Sequence, residues 1–436
     1  MLPVLQEFVE NFPRFLTQVS NNWAERFVKD NLIPRLPEGI AEHFPTSLGI
    51  VLVMLACCGI FIAIFPLIPL ILVLAERKVS AHIQHRTGPM RVGPWGTLQT
   101  LADGVKLLFK EDFIPPYGDK VLFILAPYLI FAFSFAVFAG IPFGENLLVS
   151  NLNIGIFYII AISSVVVMGV IMAGWASNNK WSLLGSLRSA AQMVSYEIPV
   201  GLSILVVVML VQSLEMQKIV GEQAKYGIAS WLIFRSPFTF ITFFIFFISV
   251  IAEVNRTPFD LPEAESEIVA GFHTEYSGMR FAFFYIAEYA NMFAVSAIAS
   301  TLFLGGWIGI LPESILPQFG FPGGGILSFI IKVFTLSGTV GLIIKTFFLV
   351  FVMMWIRWTL PRLRVDQLMN LCWKYFIPIS FFNILGTGIW VLIFDNIPAD
   401  IGIVVSIALI ALGLITVYIL VGKGMSENPQ SQASSA

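Results

Sequence analysis

The sequence predicts an all-α polytopic membrane protein, and three observations carry that expectation. The 436-residue chain is 57% hydrophobic and 12% charged, with a mean hydropathy of +0.85 and 41 phenylalanines. Apolar runs of the length that carries a helix across a bilayer, about 20 residues, recur along it. No stretch alternates apolar and polar residues with the period of two that a lipid-facing barrel requires.

Residues 1–46 hold six acids and several prolines but no early apolar run, so they do not read as a secretory signal. Weakly amphipathic stretches such as Val4–Val19 are expected to form an N-terminal extension lying on a surface. An integral domain over 47–423 and a disordered, Ser/Gln/Asn-rich tail over 424–436 complete the expected organisation. About nine spans are expected, at Leu48–Ala75, Val121–Pro142, Ile154–Trp175, Ala191–Gln212, Pro237–Ile251, Phe281–Leu304, Leu327–Ile356, Tyr375–Phe394 and Ile401–Val421. The loops on one side collect 16 Lys and Arg and those on the other 7, which puts the N-terminus outside and the C-terminus inside.

The inside loops are long and specifically patterned. Gly96–Glu111 places Leu98, Leu101, Val105 and Leu108 on one helical face and Asp103, Lys106 and Lys110 off it, the pattern of an interfacial amphipathic helix. Before it stand Glu76 and Arg77, where the first span meets water. His82 and His85 are spaced for a shared metal but have no third ligand nearby. Cys57, Cys58 and Cys372 make no CxxC pair, so neither a metal nor an iron–sulfur cluster is expected on this chain. Composition gives no sign of nucleic-acid binding.

Acids are concentrated where lipid makes them costly. Seven lie between residues 253 and 288, namely Glu253, Asp260, Glu263, Glu265, Glu267, Glu275 and Glu288, opposed only by Arg256 and Arg280. A carboxylate at a membrane helix centre costs about 2.5–3.5 kcal/mol on insertion scales, so such a cluster points to function. Part of it has a structural reading, with Asp260 capping a short helix and Glu263 at the capping-box position. Elsewhere Glu197 sits beside Pro199, whose missing N–H frees the carbonyl near Ser195, and reads as a protonatable relay site. Arg357, Arg362, Arg364 and Asp366 read as an interfacial anchor closed by Trp373 and Lys374. Arg–Asp pairing there is expected to hold that loop against its neighbours.

The strings SNNKWSLLGSLRSAAQMVSYEIP, NRTPFDLPEAESEIVAGFHTEYSGM and LPRLRVDQLM, in that order, resemble the quinone-site membrane subunit family of respiratory complex I. That family comprises the H subunit of bacterial NADH-quinone oxidoreductase and NADH dehydrogenase subunit one of mitochondria. The resemblance runs from about Leu48 to Phe394, with Met90 departing from the usual Asn in the GPNRVGP block. It implies a proton-translocating NADH:quinone oxidoreductase subunit of the bacterial inner membrane, with quinone as substrate. NADH, FMN and iron–sulfur clusters would belong to partner subunits. Expected partners are the peripheral-arm subunits beside the quinone site, small membrane subunits, antiporter-like subunits and lipid. By motif, Glu76, Arg77, Asp103, Lys106, Arg256, Asp260, Glu263, Glu265, Glu267 and Glu275 take quinone-chamber positions. Glu197, Glu253 and Glu288 take the proton-relay positions, and no residue of this chain performs the redox step. The alternatives are the homologous subunit of a membrane-bound hydrogenase or other-donor dehydrogenase, and a stand-alone cation transporter.

Overall fold

The computed structural model describes residues 65–145, 147–224, 227–261, 268–309, 338–394 and 399–427, with isolated helical positions at Leu55, Gly59 and Ala63. The expectations for residues 1–46 and for Glu263, Glu265 and Glu267 lie outside the described residues. Two compact units, Met1–Ile71 and Leu72–Ala436, divide the chain, and the candidate site lies wholly in the second.

Among the described residues every regular element is helical. In chain order these are α1 (Leu67–Ile83), α2 (Gln99–Phe109), α3 (Lys120–Ala136), α4 (Gly155–Ala176), α5 (Lys180–Val211), α6 (Met216–Glu222), α7 (Leu232–Arg235) and α8 (Pro237–Glu253). There follow α9 (Gly278–Phe303), α10 (Thr339–Thr359), α11 (Val365–Asn370), α12 (Ile377–Phe394) and α13 (Ala399–Glu427). Six continuous stretches are long and apolar enough to cross a membrane: Lys120–Gly140, Gly155–Ala176, Lys180–Val211, Gly278–Phe303, Thr339–Thr359 and Val365–Phe394. Pro237–Glu253 and Ile401–Thr416 are shorter apolar helices. These eight fall on the second to ninth expected runs.

Several helices overrun the bounds that hydropathy suggests, three of them for a legible local reason. α1 continues through Glu76 and Arg77 to Ile83, because AERKVSAHI holds no breaker before Gly88-Pro89. α5 begins at Lys180 rather than Ala191, with Asn179 as its N-cap accepting from the Trp181 N–H at 3.0 Å. The expected loop from Asp366 to Lys374 is helix, since α11 joins α12 through a π-helical turn at Leu371–Phe376. At the far end α13 runs to Glu427.

Small residues let α5 lie close to its neighbours, as is usual where lipid supplies no hydrophobic drive between helices. A Cβ on Gly185 would stand 2.6 Å from the Gly271 Cα. The core between α3, α4, α5 and α9 buries Phe123, Ile130, Val166, Met193, Tyr276 and Phe284. Phe123 and Tyr276 stack with centroids 4.1 Å apart, and the Tyr276 hydroxyl donates to the Phe123 carbonyl. Pro199 interrupts the α5 ladder as its chemistry requires, and the freed Ser195 carbonyl is taken up by the Cys372 thiol of the π-helical turn at 3.1 Å. One residue on, the Tyr196 hydroxyl donates to the Leu368 carbonyl at 2.9 Å.

Candidate functional site

Four charges from four separate segments of the second unit meet in one cluster. Glu76 of α1 is 5% exposed and Arg256, just beyond α8, is 4% exposed. The Arg256 guanidinium reaches both Glu76 carboxylate oxygens, at 3.2 and 3.1 Å, and stands 2.9 Å from the Glu288 carboxylate of α9. Arg357 at the end of α10 pairs with the same Glu76 carboxylate. Arg256 also lies 4.1 Å above the Tyr289 ring, and the Tyr289 and Tyr285 hydroxyls are 3.2 Å apart. Burial works against the Arg256 charge, but Glu288, Tyr289 and Glu76 outweigh it and hold its pKa well above the usual arginine value. Two carboxylates and two guanidiniums cancel, which is the condition under which charges tolerate a dry interior.

Helix-end geometry puts Arg256 there. Asn255, with φ of 55°, takes the left-handed position that usually falls to glycine after a helix. Its N–H donates to the Ala252 carbonyl and the Arg256 N–H to the Ile251 carbonyl, closing a Schellman motif on α8. The chain thereby turns back on itself, and the Arg256 charge sits beside the negative end of the helix dipole.

A second group of charges adjoins the first through sequence neighbours. Arg77 follows Glu76 and pairs with Asp103 of α2 at 2.5 Å, while Lys106 lies 3.7 Å from the same carboxylate. Burial raises the Asp103 pKa, but the hydrogen bond and charge of Arg77 overcome this and hold the carboxyl below its ordinary range. On the other side Asp260 pairs with Arg362 at 3.0 Å. The Leu363 N–H donates to the Pro258 carbonyl at 3.0 Å, so the loops after α8 and α10 are bound together.

One cavity adjoins the central cluster at Glu288, and a second shares part of its wall. The first, of about 50 Å³, is lined by Glu288, Glu253, Asn255, His273 and Asn291. The other, of about 60 Å³, is lined by Glu253, Glu197, Ser163, Asn291 and apolar residues of α4, α5, α8 and α9. Glu253 and Asn291 belong to both walls. Each volume has room for a few water molecules, at roughly 10–15 Å³ of such space apiece, and each has the polar partners that water needs.

The structure therefore brings together Glu76, Arg256 and Glu288, then Arg77, Asp103 and Lys106, and places Glu197 and Glu253 on one cavity wall. Glu275 is held elsewhere, accepting from the Asn179 side chain at 2.6 Å beside the start of α5. Asp260 faces Arg362, while residues 262–267, where its capping role would show, lie outside the described residues. Sequence reasoning missed Arg357, read as an anchor, and Tyr285, Tyr289, Ser163 and Asn291. For Arg357 the available signal was its place directly after an apolar run, as with Glu76.

Helices of this length and hydropathy around balanced buried charges define a multi-pass membrane protein with a polar interior. Comparison with known sequences gives the family. A model of the NADH dehydrogenase family matches residues 56–388. The H subunit of NADH-quinone oxidoreductase from Chlorobaculum tepidum is 49% identical over 346 residues, covering 79% of this chain and 93% of that one. The protein of the same name from Bacteroides thetaiotaomicron is 43% identical over 371 residues, covering 84% and 95%. A further H subunit of this oxidoreductase, from Geobacter metallireducens, is 48% identical over 335 residues, covering 72% and 88%. The chain belongs to the NADH dehydrogenase family, together with these H subunits.

Proposed function

We propose that this chain is the membrane subunit of an NADH:quinone oxidoreductase that lines the quinone chamber and passes the effect of quinone reduction to a proton path. The observation that carries the reading is the run of charge from Asp103–Arg77 and Glu76 through Arg256 to Glu288, continued by two cavities that share Glu253 and end at Glu197. Glu76, Arg77, Asp103, Lys106, Arg256 and Asp260 would line the chamber and its mouth, with Glu263, Glu265, Glu267 and Glu275 on the loop beyond. Glu288, Glu253 and Glu197 would hold and hand on protons. NADH, FMN and iron–sulfur clusters would reside in partner subunits of the peripheral arm, and antiporter-like subunits would receive the proton signal. The N-terminus is assigned to the outside.

The chemistry follows from the shared guanidinium. Reducing a quinone to a quinol takes two electrons and two protons, and each electron that arrives first adds negative charge to a site of low dielectric. Added charge near Glu76 competes for Arg256 and Arg357, so the guanidinium shared with Glu288 is drawn toward the chamber. Glu288, losing cationic stabilisation, takes a proton from the cavity side, and the deficit passes to Glu253 and Glu197 through water. The test is Glu197→Gln in the intact complex reconstituted in proteoliposomes, with quinol formation and proton uptake recorded together. Loss of pumping with the complex still assembled is the expected result. Pumping at the full wild-type ratio removes Glu197 from the path.

A further inference from the structure

Gln192 is fully buried on α5, five residues before Glu197, and lies outside the roles assigned above. Its side-chain nitrogen donates to the Ala252 carbonyl at 2.8 Å and to the Phe259 carbonyl at 2.7 Å, with Asn255 Oδ1 at 3.1 Å. Both nearest partners are carbonyls, which only accept, so the amide must present its NH2 to them. Those carbonyls bracket the turn after α8: Ala252 precedes Glu253, and Phe259 precedes Asp260. Arg256 lies between them. Asn255, at the left-handed position of the turn, donates in its turn to Ser189 Oγ of α5 at 3.1 Å.

Two features separate this contact from ordinary helix packing. A single side chain bridges carbonyls seven residues apart in the sequence, each of which also accepts from a backbone N–H, so it fixes the span of the turn as well as its distance from α5. The one cationic side chain within that turn is the guanidinium shared by Glu76 and Glu288. Shifting the turn by an ångström would move a guanidinium whose present contacts lie at 2.9–3.2 Å to distances at which a hydrogen bond is no longer made. Loop placement and charge placement are thus one degree of freedom.

We infer that Gln192 is a positioning residue that staples the Ala252–Phe259 turn to α5 and thereby holds the Arg256 guanidinium between Glu76 and Glu288. Its consequence for catalysis rests on the function proposed above; the staple itself rests on geometry alone. Because α5 also carries Glu197, the same amide ties the helix of the last relay acid to the loop of the shared arginine. Movement of either is therefore registered against the other.

The test uses the assembled complex carrying Gln192→Leu, which keeps the volume and removes both donors, together with Glu288→Gln and the double variant. Hydrogen exchange over residues 253–261 reads the staple directly, and about a tenfold faster exchange is expected when it is lost. Quinone reduction should fall about tenfold or more through kcat. The double variant should be no slower than Glu288→Gln, since both act through Arg256. Unchanged exchange, or strictly additive losses in rate, overturns the inference. A silent Glu288→Gln with accelerated exchange in Gln192→Leu sinks the proposed function and leaves the staple standing. Should Gln192→Leu not assemble, Gln192→Asn keeps the amide but falls one methylene short, and the same cycle applies. If neither assembles, Gln192 is structural only and the inference fails.

Discussion

Replacing each arginine of the cluster by glutamine should destabilise the assembled subunit in the order Arg256, Arg357, Arg362. Arg256 has its side chain 5% exposed and serves two carboxylates, Glu76 and Glu288, whose own side chains are 6% and 20% exposed. With charge centres about 4 Å apart and an effective dielectric near 20, each pair is worth roughly 4 kcal/mol of gross attraction. Desolvating the guanidinium offsets much of that, and breaking a buried pair costs about 3–5 kcal/mol in total because the remaining charges keep their burial. Arg357 is 29% exposed and shares Glu76 with Arg256, so its loss leaves that carboxylate a partner and should cost about half as much. Arg362 is 38% exposed against Asp260, where screening reduces a pair to about 1 kcal/mol or less. The assay is the thermal midpoint of the detergent-solubilised complex, with its yield on native gels as a second measure. Equal effects for the three, or Arg362→Gln as the most damaging, would show that burial does not set the value of these pairs and would refute the reasoning.

Asp103 gives a pH signature. Its folded pKa is lowered, so the Arg77 contact contributes its full stabilisation above the unfolded value near 3.8 and loses it as pH falls through the lower folded value. Asp103→Asn should therefore cost about 0.2–1 kcal/mol, constant from pH 5 to 8, with the gap to wild type closing only below about pH 4 in thermal melts. Cys372→Ala leaves the buried Ser195 carbonyl without its donor and should cost about 1–3 kcal/mol, whereas Cys372→Ser restores an O–H and should cost much less; comparable melts for the two would remove the thiol's capping role. Gly185→Ala places a methyl against the Gly271 backbone and should lower complex yield through an overpacking cost of about 1–3 kcal/mol, measured by the same melts.

Much of this fold is legible in the sequence because lipid demands it. Eight expected apolar runs coincide with helices, since a spanning segment must satisfy its own backbone and be apolar over a fixed length. What hydropathy does not reveal is where a helix continues into polar sequence. Lys180–Arg188 and Glu76–Ile83 are charged enough to look like loops, yet they contain neither proline nor glycine runs, and helix propensity with capping decides their state. The Asp103–Lys106 approach was legible from i, i+3 spacing. The pairing of Arg357 with Glu76 was not, because 281 residues separate them and either charge alone satisfies the interfacial reading. The same holds for Gln192, whose partners are backbone carbonyls that carry no sequence signal.

The helix overruns bear directly on how the charges work. Had Glu76 and Arg77 stood in a loop, their side chains would have wandered, and ordering them would have cost conformational entropy each time they engaged a partner. On α1 they are adjacent positions of a rigid element, and they point to different neighbours: Glu76 to Arg256 and Arg357, Arg77 to Asp103. A displacement of Arg77 by Asp103 would therefore carry Glu76 with it, because the two side chains leave neighbouring positions of one helix. The α5 helix plays the corresponding part on the other side, carrying Gln192 and Glu197 a little over one turn apart. The turn that presents Arg256 is joined to both helices, by the Glu76 carboxylate on one side and the Gln192 amide on the other. Outside regular helix, the segment that carries Arg256 takes its placement from side-chain contacts, the Gln192 amide among them, whereas Glu76, Arg77 and Glu197 take theirs from the helices they stand on.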